Sequence, residues 1–155
     1  MLYHILLLIH SLFRWLVLIS LMYAVYIGWR GWLGNRPFSK MDDKVRHWTA
    51  TIIHIQFVLG FLLYFISPLV EYFWENYKTA VHDRDIRFFG MEHSLMMLVA
   101  VIIVTIGSMA AKRKVSDKEK FKTMAIWYTF GLVLILINIP WPFSPFAANR
   151  PYLRF

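Results

Sequence analysis

The sequence of 155 residues is 59% hydrophobic and 18% aromatic, and only 17% of its residues are charged. A soluble domain averages about 45–50% apolar and about 25% charged residues, so these proportions exclude an ordinary soluble domain. They also exclude a disordered chain, because disorder requires low hydrophobicity. The sequence contains no cysteine, which excludes a disulfide scaffold and a cysteine-ligated metal site. The composition therefore predicts an integral membrane protein.

Four apolar stretches predict transmembrane helices, since each has at least the ~20 residues needed to cross about 30 Å of hydrocarbon. They cover about residues 2–29, 47–67, 88–111 and 121–139. Between the second and the third stretch, residues 69–81 place apolar side chains at helical spacing. This spacing predicts a short amphipathic helix that lies on the outer face of the membrane that the protein spans. The proline-rich outer tail, 140–155, cannot continue a helix. The predicted fold class is an all-α membrane protein, in which residues 1–155 form a single four-transmembrane up-and-down helix bundle.

The net charge of +8 is concentrated in two polar segments. Their basic residues are Arg30, Arg36, Lys40, Lys44 and Arg46 in the first, and Lys112, Arg113, Lys114, Lys118, Lys120 and Lys122 in the second. An up-and-down bundle places both segments on one side, and the positive-inside rule makes that side the cytoplasm. Both termini then face the periplasm, across a bacterial inner membrane. Acidic residues dilute both segments and no aromatic stacking platform accompanies them, so the lipid bilayer, and not nucleic acid, is the expected partner.

Two of the six histidines are predicted to lie at matching depth in the membrane. His10 and His93 each begin a His-Ser-Leu sequence, 20 residues before Arg30 and 19 residues before Lys112, respectively. At 1.5 Å per residue, both lie about 30 Å from the basic edge, near the outer side. The first and third helices of an up-and-down bundle are diagonal across its core. We therefore expect both histidines to ligate one haem iron from opposite faces, which favours electron transfer. The alternative is that they only form interhelical hydrogen bonds.

Arg14 lies one helical turn from His10 on the same helix face. A cation within the bilayer needs a counter-charge. One candidate is Glu92, in an ion pair that joins two helices, and the other is a haem propionate; the two can coexist. Arg14 is therefore a candidate cofactor-binding residue.

His54 lies about 12 Å inside the basic edge, eight residues beyond Arg46, where no other span has a histidine. Three roles are open to it. It can ligate a second haem together with Met22, or form part of a quinone pocket or proton path with Thr51. It can also form a hydrogen bond to a neighbouring helix, as lone histidines in membrane bundles commonly do.

The sequence Met91-Glu-His-Ser-Leu-Met-Met97 indicates a third interpretation of the histidines. Thioether and imidazole groups are suitable ligands for Cu(I), so a copper-binding or copper-transfer protein that uses His10, His93 and these methionines is an alternative to a haem protein. The sequence contains no phosphate-binding loop, no HExxH motif and no dinucleotide-binding glycine motif. No catalytic residue is assigned, and the sequence leaves open whether the protein is an enzyme.

Three segments resemble one family of proteins: His10-Ser-Leu-Phe-Arg-Trp, His47-Trp-Thr-Ala-Thr-Ile-Ile-His54 and Glu92-His93-Ser-Leu-Met-Met. They are similar to short bacterial four-helix membrane proteins labelled cytochrome b or cytochrome b561-like. The resemblance implies haem b bound by transmembrane histidines, with His10 and His93 as axial ligands and His54 as a further candidate. Members with two haems need two matched histidine pairs, and this sequence has one pair, which implies a single haem near the outer face.

The function expected from these observations is that of a small b-type cytochrome. It would relay single electrons between quinol, or a larger respiratory complex, and a periplasmic electron carrier. The principal rival is a structural or accessory subunit of a larger membrane complex, whose histidines only connect helices. A homo-oligomer is compatible with either interpretation.

Overall fold

The computed structural model describes residues 1–143, and the regular structure in this range is entirely helical. In chain order, the helices are α1 (Leu2–Leu33), α2 (Lys40–Ile66), α3 (Pro68–Glu75), α4 (Tyr77–Ala80), α5 (Arg84–Arg87), a π-helical turn (Phe88–Glu92), α6 (His93–Arg113) and α7 (Asp117–Asn138). Helices α1, α2 and α7 are each long and apolar enough to cross a membrane, as is α6 together with the turns that precede it. Four candidate spans were expected from the sequence, and the structure contains four in the part it describes.

Each long helix packs against two of the others. Helix α1 contacts α2 and α7, and α6 contacts the same two helices, so α1 and α6 are the diagonal pair. Gly60 of α2 faces the His10 ring, so the first part of α1 lies beside the last part of α2. Consecutive long helices thus run in opposite directions. The connections 34–39 and 114–116 therefore lie together at one end of the molecule, which we call the basic end.

Glycines allow α7 to pack closely between its two neighbours. A Cβ atom on Gly28 of α1 would lie 2.9 Å from the backbone nitrogen of Ala125 in α7. A Cβ atom on Gly107 of α6 would lie 2.2 Å from Cβ of Trp127. Small residues commonly allow such close contacts between membrane helices. Glycine is thus required at both positions by the separation of the helices.

Two of the long helices begin earlier in the sequence than hydropathy predicts. Helix α2 begins at Lys40 and not near residue 47, because Ser39 and Asp42 form a reciprocal capping box that satisfies the first free backbone N–H groups. Arg36 also donates hydrogen bonds to the Asp42 carboxylate. Helix α7 begins at Asp117 and not near residue 121, and the Ser116 side chain caps it. Much of each basic segment is therefore helical and not part of a connecting loop.

Arg46 is buried, although the sequence predicts that the basic residues of these segments are exposed. It is 4% exposed, although the sequence places it among the charges of a loop. Its Nη1 donates to the Ser108 hydroxyl at 2.6 Å and to the Ser108 carbonyl at 3.1 Å, and its Nε donates to Asp43 at 2.8 Å. The Tyr128 hydroxyl donates to the Arg46 carbonyl at 2.7 Å. Arg46 therefore connects α2 to α6 and α7, and we call these four residues the Arg46 network.

The segment predicted as one amphipathic helix, 69–81, forms α3 and α4, which Asn76 separates. Its apolar side is buried at Val70, Phe73 and Ala80, whereas Glu71 and Glu75 are exposed. The segment thus covers the end of the long helices opposite the basic end. Of the predicted proline-rich tail, residues 144–155 lie outside the described part of the chain.

Candidate functional site

A cavity of about 480 Å³ lies at the end opposite the basic end, which we call the cavity end. Its volume is within the range of about 300–1,000 Å³ that is typical of ligand sites. Most of its lining is apolar, and α1, α2 and α6 contribute to it together with α3 and the π-helical turn. The polar side chains at its wall are those of Tyr3, His10, Ser11, Arg14, Gln56, Tyr64, Ser67, His93 and Ser94. His10 and His93, predicted at equal depth on diagonal helices, thus line one cavity.

His93 is oriented by a hydrogen bond to the end of α7. Its Nδ1 lies 2.8 Å from the carbonyl oxygen of Asn138. A carbonyl can only accept, so Nδ1 carries the proton and Nε2 keeps its lone pair. Histidines that bind metals almost always donate their second ring N–H to an acceptor in this manner. The tautomer of His93 is therefore the one that suits a metal ligand.

The π-helical turn before His93 is held in place by α2 and α3. The Gly90 carbonyl accepts a hydrogen bond of 2.8 Å from the Tyr64 hydroxyl of α2. A Cβ atom on residue 90 would lie 2.4 Å from Cγ of Phe73 in α3, so only glycine fits there. The Phe88 ring lies 5.5 Å from the His93 ring. Isolated π-helical turns occur frequently at functional sites. This one directly precedes His93, which is the first residue of α6.

His10 has a different set of neighbours, in which Gln56 is prominent. The Gln56 Nε2 donates to the backbone carbonyl of His10 at 3.0 Å, and it lies 3.4 Å from the His10 Nε2. Because an amide nitrogen can only donate, the His10 Nε2 accepts and its Nδ1 carries the proton. Among the described residues, neither the buried His10 Nδ1 nor the buried Gln56 Oε1 has a hydrogen-bond partner. Such groups are rare in folded proteins and call for an explanation.

Gly60 provides the space that the His10 ring occupies. A Cβ atom at this position would lie 3.0 Å from Cε1 of the imidazole, which is tight for a real side chain. Gln56, Gly60 and Tyr64 follow one another at four-residue spacing, so they share one face of α2. None of the three was predicted as a site residue. That spacing of a polar residue, a small residue and a polar aromatic residue was the signal available to find them.

Arg14 lines the same cavity as the two histidines. Glu92, one of the two predicted counter-charges for Arg14, is paired with another residue. Glu92 instead accepts a hydrogen bond of 2.6 Å from the Arg87 Nε, because helix α5 and the π-helical turn bring Arg87 next to it. The Arg14 guanidinium lies 5.5 Å from the centroid of the Trp15 ring.

The structure does not bring His54 together with the other two intramembrane histidines. His54 is exposed on α2 and is not among the residues that line the cavity. Its Nε2 lies 2.8 Å from Oγ1 of Thr105 in α6. The Thr105 hydroxyl itself donates to the Val101 carbonyl, so His54 is the donor to the hydroxyl. This hydrogen bond joins α2 to α6, as expected if His54 connects neighbouring helices.

The donors at the cavity restrict the kinds of metal that it can hold. Within residues 1–143, no three histidine or acidic side chains converge on a common point. Met91 and Met97 line the cavity together with the two histidines, whereas Met96 does not. A metal centre here would therefore take its protein ligands from two imidazoles and two thioethers.

Haem b fits this set of residues. Two imidazoles on diagonal helices are ligands that haem iron accepts, and the lining is otherwise largely apolar. Arg14 adds a cationic side chain to the wall, and the His10 Nδ1 and Gln56 Oε1 have hydrogen-bonding capacity that no described residue uses.

Comparisons of the chain with protein-family models, curated proteins and solved structures found no match. Function is therefore inferred from the cavity and from the side chains that line it.

Proposed function

We propose that this protein is a small b-type cytochrome of a bacterial inner membrane, with a single haem b in the cavity and His10 and His93 as its axial ligands. The observation that carries the proposal is the presence of two histidines from diagonal helices at the wall of one largely apolar cavity. The hydrogen bond from His93 to Asn138 adds support, because it leaves the His93 Nε2 available to iron.

The proposed topology places the basic end in the cytoplasm and the cavity end at the periplasm. Basic side chains at the basic end are exposed, among them Lys112, Arg113 and Lys114, and positive charge is retained on the cytoplasmic side of membrane proteins. Large apolar side chains are exposed along all four long helices. They are suited to face lipid.

The residues at the cavity have separable tasks in this function. His93 would hold the metal through its Nε2 lone pair, which stays available because Asn138 occupies its other ring nitrogen. Arg14 supplies a positive charge at the wall of the cavity, where it can pair with a carboxylate. The apolar side chains limit the access of water. Haem supplies a one-electron couple when it is bound.

The proposed partners follow from the position of the cavity. At the periplasmic end it is near the outer leaflet, where quinol or a larger respiratory complex can deliver electrons, and near a soluble periplasmic carrier that can accept them. A homo-oligomer is compatible with this arrangement.

Copper binding is the second candidate function, and one observation favours it. Met91 and Met97 line the same cavity as His10 and His93, and thioether and imidazole together are ligands that Cu(I) accepts. Haem is preferred because the cavity is far larger than a single ion needs, at about 480 Å³.

The optical spectrum of the purified protein, reduced with dithionite, tests the proposal. We expect sharp bands of reduced b-type haem that change in His10→Ala and His93→Ala. They should stay the same in His47→Ala, which removes an exposed histidine from the other end of α2. Copper bound in place of haem would favour the second candidate. A folded, colourless and metal-free protein from haem-replete cells would contradict both and favour an accessory subunit.

A further inference from the structure

The two histidines at the cavity differ in how their ring nitrogens are engaged. The His93 Nδ1 is bonded to the Asn138 carbonyl at 2.8 Å, so this ring is fixed with Nε2 available. The His10 Nε2 lies 3.4 Å from the Gln56 amide nitrogen, and the His10 Nδ1 has no partner among the described residues. In the described part of the chain, the Nε2 lone pair of His93 is thus free, whereas that of His10 is in contact with Gln56.

This difference has a direct consequence for ligand strength. A nitrogen lone pair can accept a hydrogen bond or bind a metal, but it cannot do both. Coordination through the His93 Nε2 leaves its bond to Asn138 intact, and such a bond raises the basicity of the ligand. Coordination through the His10 Nε2 requires that the contact with Gln56 be given up. In addition, no described acceptor supports the His10 Nδ1–H.

We propose that His93 is the anchoring ligand of the site and that His10 is an exchangeable one, so that a small neutral ligand of the carbon monoxide type can take its place. This inference rests on the proposed function, since it concerns the same haem. In the exchange, the bond from iron to the His10 Nε2 breaks and a bond from iron to the carbon of the incoming molecule forms. No electron is transferred, and the imidazole leaves as the neutral ring with its proton on Nδ1.

Gln56 is the positioning residue in this proposal. Its amide is held by the His10 backbone carbonyl at 3.0 Å, which keeps an N–H beside the His10 Nε2. After exchange, the released Nε2 can accept from that N–H, so Gln56 stabilises the open form of the site. Removing the amide should therefore strengthen coordination by His10 and weaken the binding of the competing ligand.

Carbon monoxide titration of the haem-loaded protein, reduced with dithionite, is the test, and the Soret band is the signal. The wild type should bind carbon monoxide. His10→Ala should keep its haem and bind carbon monoxide at least tenfold more tightly, because no side chain competes. Gln56→Leu should bind it about threefold more weakly, which corresponds to the loss of one weak hydrogen bond.

His93→Ala should lose most of its haem. His47→Ala, the control, should match the wild type.

Several results would overturn the inference. A haem-loaded wild type whose spectrum does not change in saturating carbon monoxide shows that His10 does not exchange, and this measurement needs no variant to fold. Equal haem loss in His10→Ala and His93→Ala, in variants whose circular dichroism matches that of the wild type, contradicts the difference in anchoring. Wild-type protein that contains no haem contradicts the proposed function itself, and the inference fails with it.

Discussion

Arg46 at the basic end and His10 at the cavity end are both polar side chains among apolar helices, but their surroundings differ. Arg46 donates hydrogen bonds to Asp43 and Ser108, and its own carbonyl accepts one from Tyr128. At His10, by contrast, the ring Nδ1 and the neighbouring Gln56 Oε1 have no hydrogen-bond partner among the described residues. At the basic end, the buried polar groups of the Arg46 network form hydrogen bonds within the chain. At the cavity end, some buried polar groups of the described residues have no hydrogen-bond partner in the chain.

The comparison separates structural from functional polar residues. Leaving a buried donor or acceptor without a partner costs about 1–3 kcal/mol, so such a group is retained where another molecule can satisfy it. The Arg46 network connects three helices through hydrogen bonds, which indicates a structural role. The cavity end combines unsatisfied groups with about 480 Å³ of space, which is why we propose that it binds a ligand. Substitutions at the two ends should therefore separate stability from haem binding.

Arg46→Leu should have the largest effect on stability. It removes three hydrogen bonds from a charged donor and leaves the buried Ser108 hydroxyl without its cation. We expect a loss of about 3 kcal/mol in the free energy of unfolding, measured by denaturant titration in detergent. Protein that is purified in the cold should keep the haem content of the wild type. Loss of haem without loss of stability would contradict a structural role for the basic end.

Gly90→Val should have the second-largest effect on stability. We expect overpacking to lower the free energy of unfolding by about 2 kcal/mol. The new side chain would collide with Phe73 and disturb the π-helical turn that precedes His93. Here, unlike at the basic end, haem should also be retained less well, as measured by its release to apomyoglobin. The double variant with Phe73→Ala should lose less than the sum of the two single variants, because the cause is one contact. Additive losses would show that the two residues act separately.

Tyr128→Phe should cost about 1 kcal/mol, since it removes the hydrogen bond from the Tyr128 hydroxyl to the Arg46 carbonyl. Thermal unfolding followed by circular dichroism is the measurement, and the reduced spectrum should stay the same. A shifted spectrum would mean that the two ends are coupled, which contradicts their separation.

His54→Ala should have the smallest effect, about 0.5 kcal/mol or less, because its contact with Thr105 is at an exposed position. This variant also tests the role that the family resemblance implies for His54. We expect the haem content per chain to equal that of the wild type. A reduction by half would instead indicate a second haem bound by His54.

Much of the fold follows from hydropathy alone. The four spans are predictable because no soluble helix needs twenty consecutive apolar residues. Their ends are harder to predict, since they depend on caps and not on hydrophobicity. Ser39 and Asp42 extend α2 by about two turns into the basic segment, and this carries Arg46 from an expected loop into the protein interior. The sequence Ser-Lys-Met-Asp is a recognisable capping box, so that signal was present.

The candidate site was predictable in part. Counting residues from the basic edge places His10 and His93 at one depth, and both do line one cavity. The partners that distinguish the two histidines could not be derived in this way. His93 is bonded to a backbone carbonyl, and every residue has one, so only tertiary structure selects Asn138. The π-helical turn likewise depends on the contact between Gly90 and Phe73, which are 17 positions apart.

The haem content per chain is the most direct measurement of the central claim, determined as the pyridine haemochrome for the wild type and for the double variant His10→Ala/His93→Ala. His47→Ala serves as the matched control, since it also removes an imidazole from a long helix. One haem b per chain in the wild type and in the control, with none in a folded double variant, is the expected result. A wild type without haem, or a double variant that keeps its haem, would contradict the assignment of His10 and His93 as the ligands.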